Sequence, residues 1–398
     1  MRLKPRVIEL KEFRSRETTR KELPLEAVEL LCDKYPDRVK VEATSFRPGS
    51  TWKLTSRGYV GYLPLTPDLG LRLLPKVPID NIFRMLEYAY DLKIFSTLDE
   101  LTECASMEDF YDRLARLLAT QVLNRARKGF YRAYQPRHEQ LPFIRGRLDF
   151  RVVCQRPWDP RPACHFEEHT ADVAENRILA WTLRLILSCN FCTNRSLPLV
   201  RQAHQMLAGC LAIQPCDALE CIGRTYNRLN YDYEPMHALC RFFLENCGPG
   251  HEAGNKKMIP FLINMERLFE LFVARWLEAH LPKKFLIRSQ ERIEVDPHIN
   301  ITFKIDISIF DMEANSYALV MDTKYKLGSP STSDIQQVVA YAEAKDCREA
   351  ILIYPDRRDL MLNGKVGRIN VRSVTFPLDA NLEIAGEEFV KDIFGIEA

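Results

Sequence analysis

Two apolar, β-branched runs, each with one aspartate on its polar face, constrain this chain more than any other feature. In Asn300-Ile-Thr-Phe-Lys-Ile-Asp-Ile-Ser-Ile-Phe310, period-two alternation sets Ile301, Phe303, Ile305, Ile307 and Ile309 on one face and leaves Asp306 opposite. The second run, Tyr317-Ala-Leu-Val-Met-Asp-Thr-Lys324, puts Asp322 and Lys324 on a shared face. Between them, Asp311 to Ser316 reads as a polar hairpin loop, and counting back from it on both sides brings Asp306 level with Asp322. Two carboxylates and an ammonium then meet at one spot on a sheet.

Such a cluster has a chemical use. Aspartate oxygens suit a hard cation such as Mg²⁺, with Mn²⁺ as its substitute, and Mg²⁺ typically keeps several waters while binding through one or two carboxylates. The metal activates a water and stabilises charge on a phosphodiester, and a neighbouring lysine orients the nucleophile or neutralises the developing charge. Asp306, Asp322 and Lys324 are therefore the candidate catalytic residues, with Asp306 and Asp322 as metal ligands. The bland alternative is a surface hairpin carrying an ordinary Asp–Lys ion pair.

Flanking elements favour the chemical reading. A helical stretch, Asn264 to Trp276, precedes the hairpin and contains Glu270. After it, a capped helix starting near Ser333 keeps Gln337 and Tyr341 four apart on one face, and Glu349 to Tyr354 follows as a buried-strand pattern. This order resembles the PD-(D/E)xK nuclease superfamily. In that pattern Asp306 matches the first acid, with Ile305 in place of the usual proline, while Asp322 matches the second and Lys324 the lysine. Gln337 and Tyr341 match the Q-x-x-x-Y helix of the RecB-like branch, and Glu270 resembles the acid supplied by the first helix. The resemblance thus implies supporting roles for Glu270, Gln337 and Tyr341.

At 398 residues the chain exceeds what one core usually supports. Short strands with a helix at Leu25 to Lys34 occupy 1–78, helical periodicity dominates 79–249, and the nuclease-like pattern fills 256–398, after a glycine-rich linker at Gly248 to Asn255. The expected fold class is α+β multidomain: a small β-rich N-terminal module, a helical middle and a C-terminal α/β domain with a mixed sheet flanked by helices. The formal charge of +2 gives no overall mandate for nucleic acid, but Asp112 to Arg151 carries ten basic residues against three acidic ones. Arg145 and Arg147 in that stretch are candidate DNA contacts, set against the reading of a solvated face packed on an acidic neighbour.

Several classes are set aside. The start lacks the apolar core of a signal peptide and no run approaches the roughly 18 apolar residues of a membrane span, so the expected location is cytoplasmic. Twelve cysteines then read as small buried residues. Cys189 and Cys192, with Cys216 and Cys221, leave a four-thiolate metal site as an open alternative. His165 and His169 near Glu167 and Glu168 give a weaker metal hint. No G-x-x-x-x-G-K-[ST] occurs, so the chain offers no P-loop nucleotide site.

Longer stretches resemble one family. Gly58-Tyr-Val-Gly-Tyr-Leu, Leu71 to Pro78, Asn81 to Ala89, Ile144-Arg-Gly-Arg-Leu-Asp-Phe150, Phe166 to Asp172, Glu175-Asn-Arg-Ile178, Asn227 to Asn230 and Leu268 to Val273 look like McrC, the nuclease subunit of McrBC-type modification-dependent restriction systems. That resemblance implies a McrB-like AAA+ GTPase hexamer as partner and double-stranded DNA with modified bases as substrate. It also implies that the N-terminal region docks on the ring and stimulates GTP hydrolysis while the C-terminal domain cuts. The alternatives are a stand-alone RecB-like repair nuclease and a non-catalytic ring-binding activator with a vestigial nuclease fold.

Overall fold

The computed structural model describes residues 6–44, 51–92, 106–189, 192–248, 251–253, 256–296, 301–326, 328–356 and 361–394. The chain begins with β1 (Arg6–Lys11), β2 (Ser15–Thr18), α1 (Leu25–Lys34), β3 (Val39–Ala43), β4 (Trp52–Ser56), β5 (Tyr59–Thr66), β6 (Leu69–Leu74) and α2 (Ile79–Ala89). The middle holds α3 (Met107–Lys128), β7 (Ala133–Gln140), β8 (Arg147–Leu148), α4 (Phe150–Gln155), β9 (Ala163–Thr170), α5 (Ala174–Ser188), α6 (Ser196–Ala208) and α7 (Tyr233–Asn246). Then come β10 (His251–Ala253), β11 (Lys256–Met258), β12 (Phe261–Asn264), α8 (Met265–His280), β13 (Phe285–Asp296), β14 (Ile301–Asp311) and β15 (Ser316–Thr323). The last elements are α9 (Thr332–Ala344), β16 (Glu349–Tyr354), β17 (Asn363–Val366), β18 (Ile369–Thr375) and α10 (Leu382–Phe394). The mixed α and β content with several sheets agrees with the expected multidomain α+β class.

Contacts divide the chain into two compact units, Met1–Glu108 with Pro249–Ala398, and Asp109–Gly248. This differs from the expected segments 1–78, 79–249 and 256–398, and the reason is strand exchange across the sequence. β12 adds to the N-terminal sheet, whose order is β1-β6-β5-β12, with Leu262 opposite Gly61. Only glycine suits position 61: its φ is +136° and a Cβ would stand 2.2 Å from Phe261 O. α2 packs on α8, where the Tyr88 and Trp276 rings approach to 4.9 Å, and Asn81 Nδ2 donates to the Leu378 and Ala380 carbonyls. The first segment and the last thus share one body.

Within that body the six-stranded sheet has the order β13-β14-β15-β16-β18-β17. β13, β14 and β15 run antiparallel, and β15, β16 and β18 are parallel neighbours. β14 and β15 form the expected hairpin, with Asp311 opposite Ser316 and Ile307 opposite Met321. Ile305, Ile307 and Ile309 are fully buried as the alternation requires, and Ser308 on the other face is buried too, so both faces of this strand are covered. One covering element is α9, whose Val338, Tyr341 and Ala342 join Ile305, Val320 and Leu352 in a core cluster. Burying a side chain such as Leu352 contributes roughly 1.5–3 kcal/mol.

The second unit combines helices α4 to α7 and most of α3 with a three-stranded antiparallel sheet of order β7-β9-β8. Its strands lack apolar alternation: β7 reads AYQPRHEQ and β9 ACHFEEHT. Pro136 is tolerated because β7 is an edge strand. Pro249, Gly250, Gly254 and Asn255 of the expected linker lie outside the described residues, and β10 occupies the stretch between them.

Candidate active site

The hairpin positions the two aspartates. The β14–β15 ladder shifts by one residue between Ile309 and Phe310 and then runs from Ile309 opposite Leu319 to Ile307 opposite Met321, so Asp306 and Asp322 come next in that shifted register. There the Asp306 carboxylate replaces a backbone acceptor: Oδ2 takes hydrogen bonds from Thr323 N at 2.9 Å and Thr323 Oγ1 at 3.0 Å. Asp322 is 1% exposed. Lys324 continues β15 onto β16 through its N–H to Ile353 O at 2.8 Å. Its Nζ lies 2.7 Å from Asp322 Oδ2, a buried ion pair.

Helix α9 holds the ammonium from the other side. Ser331 caps it, with Asp334 completing a capping box and pairing with Lys326. One turn on, Gln337 Oε1 accepts from Lys324 Nζ at 2.9 Å while Gln337 Nε2 donates to Tyr341 OH at 2.7 Å. The i, i+4 spacing of Gln337 and Tyr341 thus makes a relay that fixes the direction of the lysine. Helix α8, capped by Asn264, supplies Glu270, which is 9% exposed. Arg267 Nη1 reaches Glu270 Oε2 at 3.2 Å, and Glu270 Oε1 is buried with no donor.

Electrostatics tie these groups together. Burial, then the charge of Asp306, pushes Glu270 up to about 7 against Arg267 and Lys304. The same two causes in the same order push Asp322 up to about 7 despite Lys324. Burial works against the Lys324 charge, but Asp322, then Asp306 and Asp334, outweigh it and hold the ammonium above its ordinary range. Burial raises Tyr341 as well, helped by Asp322 and Asp306. Asp306, Asp322, Lys324, Glu270, Gln337 and Tyr341 therefore form one neighbourhood. The oxygens of Asp306, Asp322 and Glu270 do not close to within 4.8 Å of one another; among the described residues the trio that does is His138, Asp149 and His165. Glu270 Oε1, buried without a donor, together with the carboxylates of Asp306 and Asp322 nonetheless fits the all-oxygen donor set that a hard divalent cation takes. Sequence reasoning missed Thr323 and Arg267, whose roles depend on strand splay and helix facing rather than on spacing.

Other candidates fare differently. Cys189, Cys192, Cys216 and Cys221 do not gather around one point. Cys189 Sγ is 3.6 Å from Cys247 Sγ, whereas Cys216 and Cys221 lie with Cys240, whose thiol burial and their charges push up. His169 meets the Tyr134 ring at 5.0 Å and stays apart from His165's partners. Arg145 stacks over Phe166 at 4.2 Å and lies 3.9 Å from Glu168, while Arg147 is exposed on β8. Among the described residues no helix is long and apolar enough to cross a membrane.

The family described as McrBC 5-methylcytosine restriction system component matches residues 54–355. The chain belongs to this family. Membership bears out the McrC likeness expected from the motifs. One McrBC relative, the type IV methyl-directed restriction enzyme EcoKMcrBC of Escherichia coli strain K12, is 24% identical over 270 residues, 63% of this chain and 74% of the relative. A chain from the refined half-complex of Thermococcus gammatolerans McrB AAA+ hexamers with bound McrC matches with a TM-score of 0.56 and 19% identity, over 98% of this chain and 100% of that one. A chain of the Thermococcus gammatolerans McrBC complex matches with a TM-score of 0.45 and 21% identity, over 70% of this chain and 89% of that one. The first of these two likenesses speaks to the McrBC family fold.

Proposed function

We propose that this McrBC family chain is the Mg²⁺-dependent DNA endonuclease subunit of a GTP-driven, modification-dependent restriction complex, with a PD-(D/E)xK-type site on β14 and β15. The observation that carries this reading is the gathering of three carboxylates, with Glu270 and Asp322 both pushed up by burial and by Asp306, Glu270 Oε1 buried without a donor, and Lys324 Nζ 2.7 Å from Asp322 Oδ2. Buried carboxylates that push one another toward neutrality call for a counter-charge. Asp306 and Asp322 would hold the ion, with Glu270 in support. When bound, Mg²⁺, or Mn²⁺ in its place, supplies an activated water and neutralises charge on the scissile phosphate.

The side chains divide the remaining work. Thr323 fixes Asp306 by one oxygen only, Oδ2. Lys324, aimed by Gln337 and held charged by Asp322, orients the attacking water and offsets negative charge developing on the phosphodiester. Tyr341 acts through Gln337 as a positioning residue.

The partner follows from the relatives. The Thermococcus gammatolerans half-complex is described as McrB AAA+ hexamers with bound McrC. We extend that arrangement to this chain, which carries no P-loop sequence of its own, and infer that it docks on and stimulates a McrB-like GTPase. Its substrate is double-stranded DNA with modified bases, of which 5-methylcytosine stands in the family description. The test is cleavage of a methylated plasmid by the chain with its McrB-like partner, GTP and Mg²⁺. Cutting that needs all three and stops with chelator is expected. Robust cutting by the isolated chain would instead favour a stand-alone nuclease, and GTPase stimulation without any cutting would favour a vestigial site.

A further inference from the structure

The Asp109–Gly248 unit carries a second convergence of ligand side chains that DNA cleavage leaves unused. His138 in β7 and His165 in β9 are direct antiparallel partners, and their rings stack with centroids 4.0 Å apart and planes 5° from parallel. Asp149 arrives from a third segment. It follows β8, extends that ladder through its N–H to Ala163 O, and caps α4. The cap uses Oδ1, which accepts from Arg151 N at 3.1 Å and Val152 N at 3.2 Å. Oδ2 is turned to the imidazoles, 3.2 Å from His138 Nε2 and 3.2 Å from His165 Nε2.

We propose that His138, Asp149 and His165 form a binding site for a borderline divalent transition ion of the Zn²⁺ class, with solvent completing the shell. Imidazole with carboxylate is a donor set such ions favour over Mg²⁺. The spacing agrees: bonds of about 2.0–2.1 Å in a tetrahedron set adjacent ligand atoms about 3.3–3.4 Å apart. Both contacts to Asp149 Oδ2 are within about 0.2 Å of that edge, and all three ligand atoms lie within 4.8 Å of one another. Binding requires the half-exposed, stacked rings to turn about χ2 so that each Nε2 lone pair, which lies in its ring plane, faces the ion. The backbone holds this approach in place, since Gly146 has φ +69° and a Cβ there would stand 2.4 Å from His165 O. The two histidines are about half exposed, so an ion reaches them from solvent. A bound ion clips the segment carrying the exposed Phe143, Ile144 and Arg145 to the β7–β9 ladder and stiffens it.

The test is zinc uptake by the reduced full-length chain in excess Mg²⁺, read by competition with a chromophoric chelator. The parent is compared with His138→Gln, His165→Gln and Asp149→Asn, the last of which keeps an oxygen for the α4 cap. The parent is expected to take up one more equivalent than each histidine variant, or to bind that equivalent at least tenfold more tightly. Cobalt at this site is expected to give a visible ligand-field band without thiolate charge transfer, and that band is lost in the variants. Equal stoichiometry and affinity in the parent and all three variants, with matching circular dichroism, would overturn the proposal. So would a cobalt spectrum that the substitutions leave unchanged.

Discussion

Asp322 is buried against Lys324 yet pushed up to about 7, first by burial and then by Asp306, and Glu270 shares that direction and those causes. Burial likewise pushes Glu12 up to about 7. For each, the folded value lies above the ordinary carboxylate value, so the folded state binds more protons across that window than the unfolded chain. The contribution to stability is complete below about 4 and is lost as pH rises through about 7. Without divalent ions, the unfolding midpoint should therefore fall between pH 5 and pH 8, as followed by calorimetry in chelator, and Asp322→Asn should flatten the decline. Added Mg²⁺ should raise the midpoint more at pH 8 than at pH 6, because the ligands are then ionised; an equal rise at both would count against carboxylate ligation. Gln337→Ala removes the acceptor that aims Lys324 and should slow cleavage about 10–100-fold, the range seen when an orienting partner is lost. Partner binding in pull-downs should be unaffected by that change.

At the scale of elements, the β14–β15 hairpin was legible because Ile305, Ile307 and Ile309 alternate strictly and a polar loop separates the strands, whereas the one-residue shift between Ile309 and Phe310 that brings Asp306 beside Asp322 was not. The Gln337–Tyr341 relay was legible too, since four residues on a helix face set two side chains together. Thr323 was not: its link to Asp306 arises where the ladder stops, and no spacing encodes that. The β7-β9-β8 sheet was hidden because its strands alternate in exposure without alternating in hydrophobicity. The end of β1 meets the D-x-K segment where Tyr325 OH donates to Glu12 Oε2 at 3.1 Å. Tyr325→Phe strips a donor from a buried carboxylate and should cost about 1–3 kcal/mol in urea melts. A change of a few tenths of a kcal/mol or less would mean that the contact does not stabilise the join.

For the whole molecule, the N-terminal strands and the six-stranded sheet share one compact unit, joined by β12, α2 and α8. The sequence could not announce this, because Phe261 to Asn264 is too short a run to declare which sheet it completes. Gly61→Val should weaken that join, since the side chain collides with the Phe261 carbonyl, and should lower the melting midpoint of the full chain. The proposed function separates chemistry from partner activation, with cutting assigned to Asp306, Asp322 and Lys324 and docking on the GTPase to the N-terminal region. The most direct measurement assays methylated-DNA cleavage and GTP hydrolysis side by side in the reconstituted complex for Asp306→Ala, Asp322→Ala and Lys324→Ala. The account predicts cleavage down by about 10²–10³-fold or more in each, with GTP hydrolysis stimulated as by the parent. Cleavage retained in all three variants would contradict it.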